Sequence, residues 1–351
     1  MKTKVLFVIR QMGSTGGVER RALQLQEASL NSEFEIEIFS FLGKLETYDQ
    51  QNVSRLDYFK RLARLCRKIS SYKPKVIHAF DLESGIYCAV ALKMLPLRKV
   101  KFISGYGAEY ITDSRIKKLL GYSFFRPQLF ICNSRNGAAS LKEHTHDQVP
   151  VKTISNGISL PEPEMKSTPE WSNGREFIIG CISKFDPYKR ADRVFDLVDH
   201  LPHDISYRFV VVGTGKDYDK AIERCNRSEL YREKVTLLGV VPDAWQMIPW
   251  FDIGILVSDS EGFPTVLLEY MQFEKPVVAT KVGETNLILN KGEAGIVSGE
   301  WDVKEFAGHL ASLMNDDEMR KNLAARARKR FEQNFTFEKM KNKYFANYRP
   351  A

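Results

Sequence analysis

Short apolar runs alternating with amphipathic helical stretches constrain this chain more than any other feature. The run VLFVI at 5–9 has no polar alternation, so both of its faces must be covered. That is the signature of a strand in a parallel sheet with helices on each side. Further strand candidates recur in the first half at 35–40, 76–79, 101–104 and 129–133, and in the second at 177–183, 208–213, 235–238, 253–258, 276–279 and 295–297. Between them lie helical patterns. Residues 19–30 follow the first strand through a glycine-bearing loop, and 55–70 carry Leu56, Phe59, Leu62, Leu65 and Ile69 as an expected buried stripe with a basic opposite face. Residues 316–330 and 337–348 close the chain as helices. The segment 161–174 (PEPEMKSTPEWSNG) has Pro, Ser and Glu but no periodicity, and reads as a linker. At about 150 residues per domain, a chain of 351 residues holds two. The expectation is α/β: two Rossmann-like sheets in tandem, over 1–160 and 175–335.

Charge divides the halves. Residues 1–165 hold 25 Lys+Arg against 16 Asp+Glu, whereas 166–351 hold 27 against 28. The excess positive charge therefore lies in the first half and points it at an anionic partner. No run reaches the roughly 18 apolar residues of a membrane span. The basic-then-apolar start is too short for a signal peptide, because Arg10 interrupts it. Five scattered cysteines without a C-x-x-C spacing suggest reduced thiols, not staples or zinc ligands, and so a cytoplasmic setting.

Three segments carry candidate chemistry. The first, GSTGGVE at 13–19, follows strand one and opens a helix, where glycines allow close backbone approach and free amides face an anion. Its spacing is not G-x-G-x-x-G and lacks the acidic partner, which argues against a nicotinamide cofactor. The second, SKFDPYK at 183–189, puts Lys184 and Lys189 beyond the C-terminal end of a strand, where α/β sheets bind ligands. Two cations there suit a departing diphosphate. The third, EGFPTVLLE at 261–269, pairs Glu261 in a Gly/Pro loop with Glu269 one or two turns into a helix. Thr265 and Val266 fall at that helix's N-terminus, whose amides can hold phosphate, and Glu269 can accept from ribose hydroxyls.

The ordered set GGVER, SNGI at 155–158, SKFDPYK, VVGTG at 211–215 and EGFPTVLLE resembles the retaining family-four glycosyltransferases of GT-B fold. The resemblance runs over essentially the whole chain. It implies two Rossmann-like domains facing across a cleft, with a final helix at 336–351 crossing back to the first. It implies sugar transfer from a nucleotide donor, a UDP-sugar ahead of a GDP-sugar, with retention, no bound metal and no cofactor. By position, Gly16 and Gly17 would approach the donor diphosphate or the acceptor, Lys184 and Lys189 would clamp the diphosphate, and Glu261 would contact the transferred sugar. Gly239 and Val240 would lie beside the base. Gly213, Gly262, Phe263, Pro264, Thr265, Val266 and Glu269 would complete the donor site, with Glu261, Lys189 and Lys184 as its catalytic members.

The chain departs from that pattern twice. Lys184 replaces the usual arginine, which keeps the charge and loses the bidentate fork. The loop after the fourth strand reads Ser104-Gly105-Tyr106-Gly107-Ala108-Glu109, without the family's histidine. On the acceptor side, Tyr106 and Glu109 join a second basic cluster, Arg115, Lys117, Lys118 and Arg126, interleaved with Ile116, Leu119, Leu120, Tyr122, Phe124 and Phe125. That mixture fits an anionic inner-membrane surface and a glycan or lipid-linked acceptor of cell-envelope polysaccharide, capsule or lipopolysaccharide synthesis, with the protein peripheral on that membrane. A nucleotide-sugar 2-epimerase of the same architecture is the nearest alternative. A nucleic-acid partner is disfavoured by the lack of any helix-turn-helix, finger or RNP motif.

Overall fold

The computed structural model describes residues 2–12, 17–42, 55–96, 99–107, 120, 125–145, 148–163, 169, 171–172, 174, 176–202 and 204–349. The chain divides into two compact units, Met1–Ser155 with Glu338–Ala351, and Asn156–Phe337.

The first unit carries a six-stranded sheet of order β2-β1-β3-β4-β5-β6. Its strands are β1 (Thr3–Gln11), β2 (Phe34–Leu42), β3 (Val76–Ala79), β4 (Lys101–Tyr106), β5 (Leu129–Cys132) and β6 (Val151–Thr153). All neighbours pair in parallel. β1 is enclosed on both faces: Val5 to Ile9 are at most 1% exposed, as the unbroken apolar run requires. β6 escapes a reading by periodicity because it is three residues long at the sheet edge, with Lys152 and Thr153 exposed. The chain leaves β1 for β2 on one side and returns to β3 on the other, so the strand order reverses between β1 and β3.

The helix Arg55–Tyr72 corrects one expectation. Leu62, Leu65 and Ile69 are buried, but Leu56 is 62% exposed and Phe59 66%. Steps of three residues fall about 60° short of a full turn each time, so the 56-59-62-65 series spirals off the buried face. The helix Phe337–Tyr348 covers the other side of this sheet: the Phe345 ring lies 5.0 Å from Phe34, and the Tyr348 hydroxyl is 2.8 Å from His78 Nδ1.

The second unit carries β7 (Phe177–Ile182), β8 (Tyr207–Val212), β9 (Val235–Gly239), β10 (Ile253–Leu256), β11 (Val277–Thr280) and β12 (Ile296–Ser298) in the order β12-β11-β10-β7-β8-β9. All these pairs are parallel too. Its core fills both sides of the sheet, one around Phe195, Phe209 and Phe306, the other around Phe251, Tyr270 and Leu267. Two glycines let these layers close. A Cβ on Gly254 would lie 2.6 Å from the Tyr270 ring, whose hydroxyl donates to the Gly180 carbonyl at 3.1 Å.

The division falls at Ser155/Asn156, ahead of the expected 160/161 boundary, because residues 156–160 are tied to the second unit. Gln272 exchanges hydrogen bonds with the backbone of Leu160 at 3.1 and 2.7 Å, and Ile158 bridges to Thr336. All five cysteines are free thiols, and burial pushes Cys132 and Cys181 up to about 12. Among the described residues no helix is long and apolar enough to cross a membrane.

Candidate active site

In the second unit the strand order reverses between β7 and β10, since the chain runs outward to β8 and β9 from one and to β11 and β12 from the other. The loops leaving these two strands splay apart, and the crevice beyond their C-terminal ends is where open α/β sheets take ligands. The two loops here are SKFDPYK and the one containing Glu261.

They meet first at Lys189 and Glu261. Lys189 Nζ lies 2.6 Å from Glu261 Oε2, with side chains 23% and 10% exposed. The other carboxylate oxygen, Oε1, accepts from Ser258 Oγ at 2.8 Å. Ser258 is itself located by Thr280, whose Oγ1 donates to the Ser258 carbonyl at 2.7 Å. Glu261 therefore has a fixed rotamer and a paired charge in a position with little water, where electrostatic interactions are strong. Beside it the same two loops are pinned again. The Asp259 amide donates to the Tyr188 carbonyl at 2.8 Å, and Asp259 pairs with Arg190 at 3.2 Å and with buried Arg193. Burial lowers the Arg193 pKa, and its guanidinium lies 4.2 Å over the Trp301 ring.

The backbone around this pair is crowded in ways that only glycine allows. Gly283 has φ +49°, and a Cβ there would lie 2.7 Å from the Gly262 carbonyl oxygen and closer still to that of Glu261. Gly213 has φ +140° and lies against the Ser183 carbonyl, so the VVGTG turn backs directly onto the loop carrying Lys184. Its amide donates to the Gly239 carbonyl at 2.8 Å, which brings the ends of β8 and β9 together.

Other expected donor residues are placed as follows. Lys184 is exposed beyond β7, and its backbone carbonyl accepts from Ser183 Oγ at 3.4 Å. Val240 is 69% exposed just past β9. Phe263 is buried with its ring 6.1 Å from Phe335, so it anchors the loop in the core. Pro264 is the N-cap of the helix Thr265–Gln272 and offers it no side-chain cap, so the first-turn amides at Thr265 and Val266 stand at the ligand edge. Glu269 is 8% exposed on the second turn. Gly262 is half-buried between Glu261 and Phe263, and its carbonyl accepts from the Glu284 amide at 3.2 Å.

In the first unit, Gly17 opens the helix Gly17–Ser29. Tyr106 is half-buried on β4, where burial and neighbouring Cys132 push its pKa up to about 12. Gly16, Glu109, Arg115, Lys117 and Lys118 lie outside the described residues. So do Ile116, Leu119, Tyr122 and Phe124; of the apolar residues interleaved with that cluster, Leu120 and Phe125 are each 1% exposed and belong to the core, which corrects the interfacial reading of these two. Arg126 is half-buried, donating to the Leu120 and Phe125 carbonyls at 3.3 and 3.4 Å and to Gln148 at 2.9 Å.

Ser258, Thr280 and Gly283 escaped the sequence reading. A serine three positions before Glu261 and a glycine after the next strand were the available signals.

The comparisons agree with this architecture. The model for glycosyl transferases group 1 matches residues 165–330, and that for glycosyltransferase family 4 matches 15–161. The chain belongs to the group 1 glycosyltransferases of GT-B fold. It is 22% identical over 287 residues to N-acetyl-alpha-D-glucosaminyl L-malate synthase of Bacillus anthracis, covering 78% of this chain and 74% of the relative. An Escherichia coli galactosyltransferase, named for UDP-Gal and a GlcNAc-diphosphoundecaprenol, is 20% identical over 90% of this chain and 89% of its own. Among solved structures, HepE of Anabaena in complex with UDP and glucose superposes with a TM-score of 0.74 at 18% identity, covering 98% of this chain and 99% of that one. The enzyme is a glycosyltransferase, and among the proteins it resembles over part of its length is a capsular polysaccharide biosynthesis glycosyltransferase of Staphylococcus aureus, 30% identical over 103 residues.

Proposed function

We propose that the enzyme transfers a sugar, with retention, from a nucleoside diphosphate donor to a glycan or lipid-linked acceptor of envelope polysaccharide, without a bound metal. The carrying observation is the Lys189–Glu261 contact of 2.6 Å at the reversal point of the second sheet. An ammonium has three donors, so Lys189 can keep Glu261 and still serve an arriving diphosphate. Lys184 and the free amides of Thr265 and Val266 add positive potential on the same ligand edge. Together they offset the charge that grows on the leaving diphosphate, the work a divalent ion does elsewhere. Glu261, oriented by Ser258, is positioned for the hydroxyls of the transferred sugar, and Glu269 for the ribose. UDP is favoured over GDP because HepE was solved with UDP and the E. coli relative is named for UDP-Gal. The diphosphoundecaprenol in that relative's name supports a lipid-linked acceptor at the inner membrane face.

The test is a panel of UDP- and GDP-sugars, with slow donor hydrolysis and donor-induced thermal stabilisation as readouts. UDP should stabilise the protein, and Lys189→Ala should remove hydrolysis while the fold persists. A fully active Lys189→Ala enzyme refutes the clamp, and a product of inverted anomeric configuration refutes retention. Conversion of a UDP-sugar to its 2-epimer without acceptor would place the chain with the epimerases.

A further inference from the structure

Arg193 is a buried cation that the donor reading leaves without a role. It opens the helix Arg193–Val198 and is 4% exposed. Its Nη1 donates to the Val257 carbonyl at 2.7 Å, and its Nη2 pairs with Asp259 Oδ1 at 2.5 Å. Those two acceptors flank Ser258, whose hydroxyl donates to Glu261 Oε1 at 2.8 Å. The guanidinium fork thus spans the residue that orients the carboxylate, gripping backbone on one side of it and a side chain on the other. The Trp301 ring, 4.2 Å from the guanidinium, holds the plane of the fork. Arg190 takes the second oxygen of Asp259 at 3.2 Å.

Stability gives little reason for a guanidinium at this place. Taking it out of water is costly, and a buried ion pair is often no more stable than well-packed apolar side chains of similar volume. The bonding is also incomplete, because Nε is buried and has no hydrogen-bond partner among the described residues. Asp259 has a side chain 45% exposed and keeps Arg190 whether or not Arg193 is present, so losing the inner pair strands no buried charge. A methionine of similar length would fill the space and leave only the Val257 carbonyl short of a donor. It would not fix Val257 and Asp259 relative to each other.

We infer that Arg193 is a positioning residue for sugar transfer: by fixing Val257 and Asp259 it sets the Ser258 hydroxyl, and through that hydroxyl the carboxylate of Glu261. It touches no reacting atom, and its role rests on the reading of Glu261 as the group beside the transferred sugar. Glu261 is held from both sides, Oε2 by Lys189 from the β7 loop and Oε1 by Ser258 just past β10. Loss of Arg193 frees the second side alone, so the diphosphate clamp stays while the carboxylate drifts. Donor binding then survives and turnover falls, a split that a general loss of fold would not produce.

The experiment measures hydrolysis, by the full chain, of whichever nucleotide sugar in the UDP- and GDP-sugar panel it cleaves, together with melting in the presence and absence of UDP. Arg193→Met should lower kcat about tenfold, hold KM within about twofold and keep the UDP-induced rise in melting temperature. Arg193→Lys keeps the charge and loses the fork, so it should recover part of the rate. The decisive comparison is a double-mutant cycle. Independent losses of about tenfold in Arg193→Met and Ser258→Ala multiply to about 100-fold, whereas residues acting through one another leave the double variant down about tenfold. Arg208→Met controls for destabilisation, since it breaks the pair with Glu176 near the start of β8, at the sheet edge away from the donor loops. Its melting temperature should drop with kcat unchanged. Wild-type kcat in Arg193→Met, a double variant down about 100-fold, a vanished UDP response or an equal kcat loss in Arg208→Met overturns the inference. If Arg193→Met does not fold, Arg193→Lys takes its place in the cycle under the same criteria. A Glu261→Gln enzyme with wild-type kcat refutes the donor-site reading itself; an impaired Glu261→Gln beside a fully active Arg193→Met refutes only the role given to Arg193.

Discussion

Replacing Gly283 by Ala tests whether the Glu261 loop is held by backbone contact as tightly as its geometry implies. Gly283 sits at φ +49°, where a non-glycine residue pays about 1–2 kcal/mol. The steric problem is larger. The added Cβ would be 2.7 Å from the Gly262 carbonyl oxygen and nearer still to that of Glu261, against a working limit of 3.0 Å. Both neighbours are backbone atoms, so no side-chain rotation relieves the clash; the loop must retreat by about an ångström. Glu261 would move with it, away from Lys189 and Ser258. Misplacement on that scale costs about 100-fold in catalysis, or about 2.7 kcal/mol. Gly308→Ala is the control, because its helical position is exposed with nothing within 4 Å. It should leave transfer unchanged and stabilise the helix by up to about 1 kcal/mol. Steady-state transfer or donor hydrolysis gives kcat/KM, and circular dichroism checks the fold. A folded Gly283→Ala enzyme with wild-type kcat/KM would refute the idea that this contact sets the position of Glu261.

Three further outcomes are expected. Ser258→Ala removes the 2.8 Å hydrogen bond to Glu261 and should cut kcat about tenfold or more, with Ser258→Thr recovering much of it; equal activity of all three enzymes would exclude the orienting role. Burial, reinforced by Arg21, lowers the His78 pKa from 6.5 to about 3. The unfolded chain therefore binds a proton between pH 6.5 and 3 that the folded one does not, and stability is full above that window and falls as pH drops through it. From pH 7 to pH 5 the loss is about 2 kcal/mol in urea unfolding, and a His78→Phe variant should lack that part of the slope; an identical slope would contradict the burial argument. Gly254→Ala presses a methyl group into the buried Tyr270 ring, and calorimetry should register a loss of about 1–3 kcal/mol, with an unshifted transition counting against close packing there.

The residue pattern reveals the strands of this fold because their enclosure on both faces demands unbroken apolar runs, and VLFVI or YRFVVV can be little else. It reveals the two donor loops because glycine, proline and charge mark them. It does not reveal that Lys189 touches Glu261. The two are 72 positions apart, and their meeting depends on β7 and β10 lying side by side, a matter of strand order and not of local period. Ser258 and Gly283 leave only a faint local signal for a related reason: each acts through a neighbour brought up by the fold. The face bearing Leu56 and Phe59 misled in the opposite direction, since a three-residue spacing looks like a buried stripe until its drift is summed over several turns. Periodicity also cannot register β6, whose three residues complete less than two repeats.

The return of Glu338–Ala351 to the first unit has a consequence for biosynthesis. The second unit is one uninterrupted stretch, 156–337, and can close as soon as it is made. The first unit cannot. Until Tyr344, Phe345 and Tyr348 arrive, Phe7, Phe34 and His78 lack the partners that cover them, although they are translated before the whole of the second unit. The half that leaves the ribosome first is thus finished last, and in the interval it presents a bare aromatic sheet face that chaperones or other nascent chains can bind.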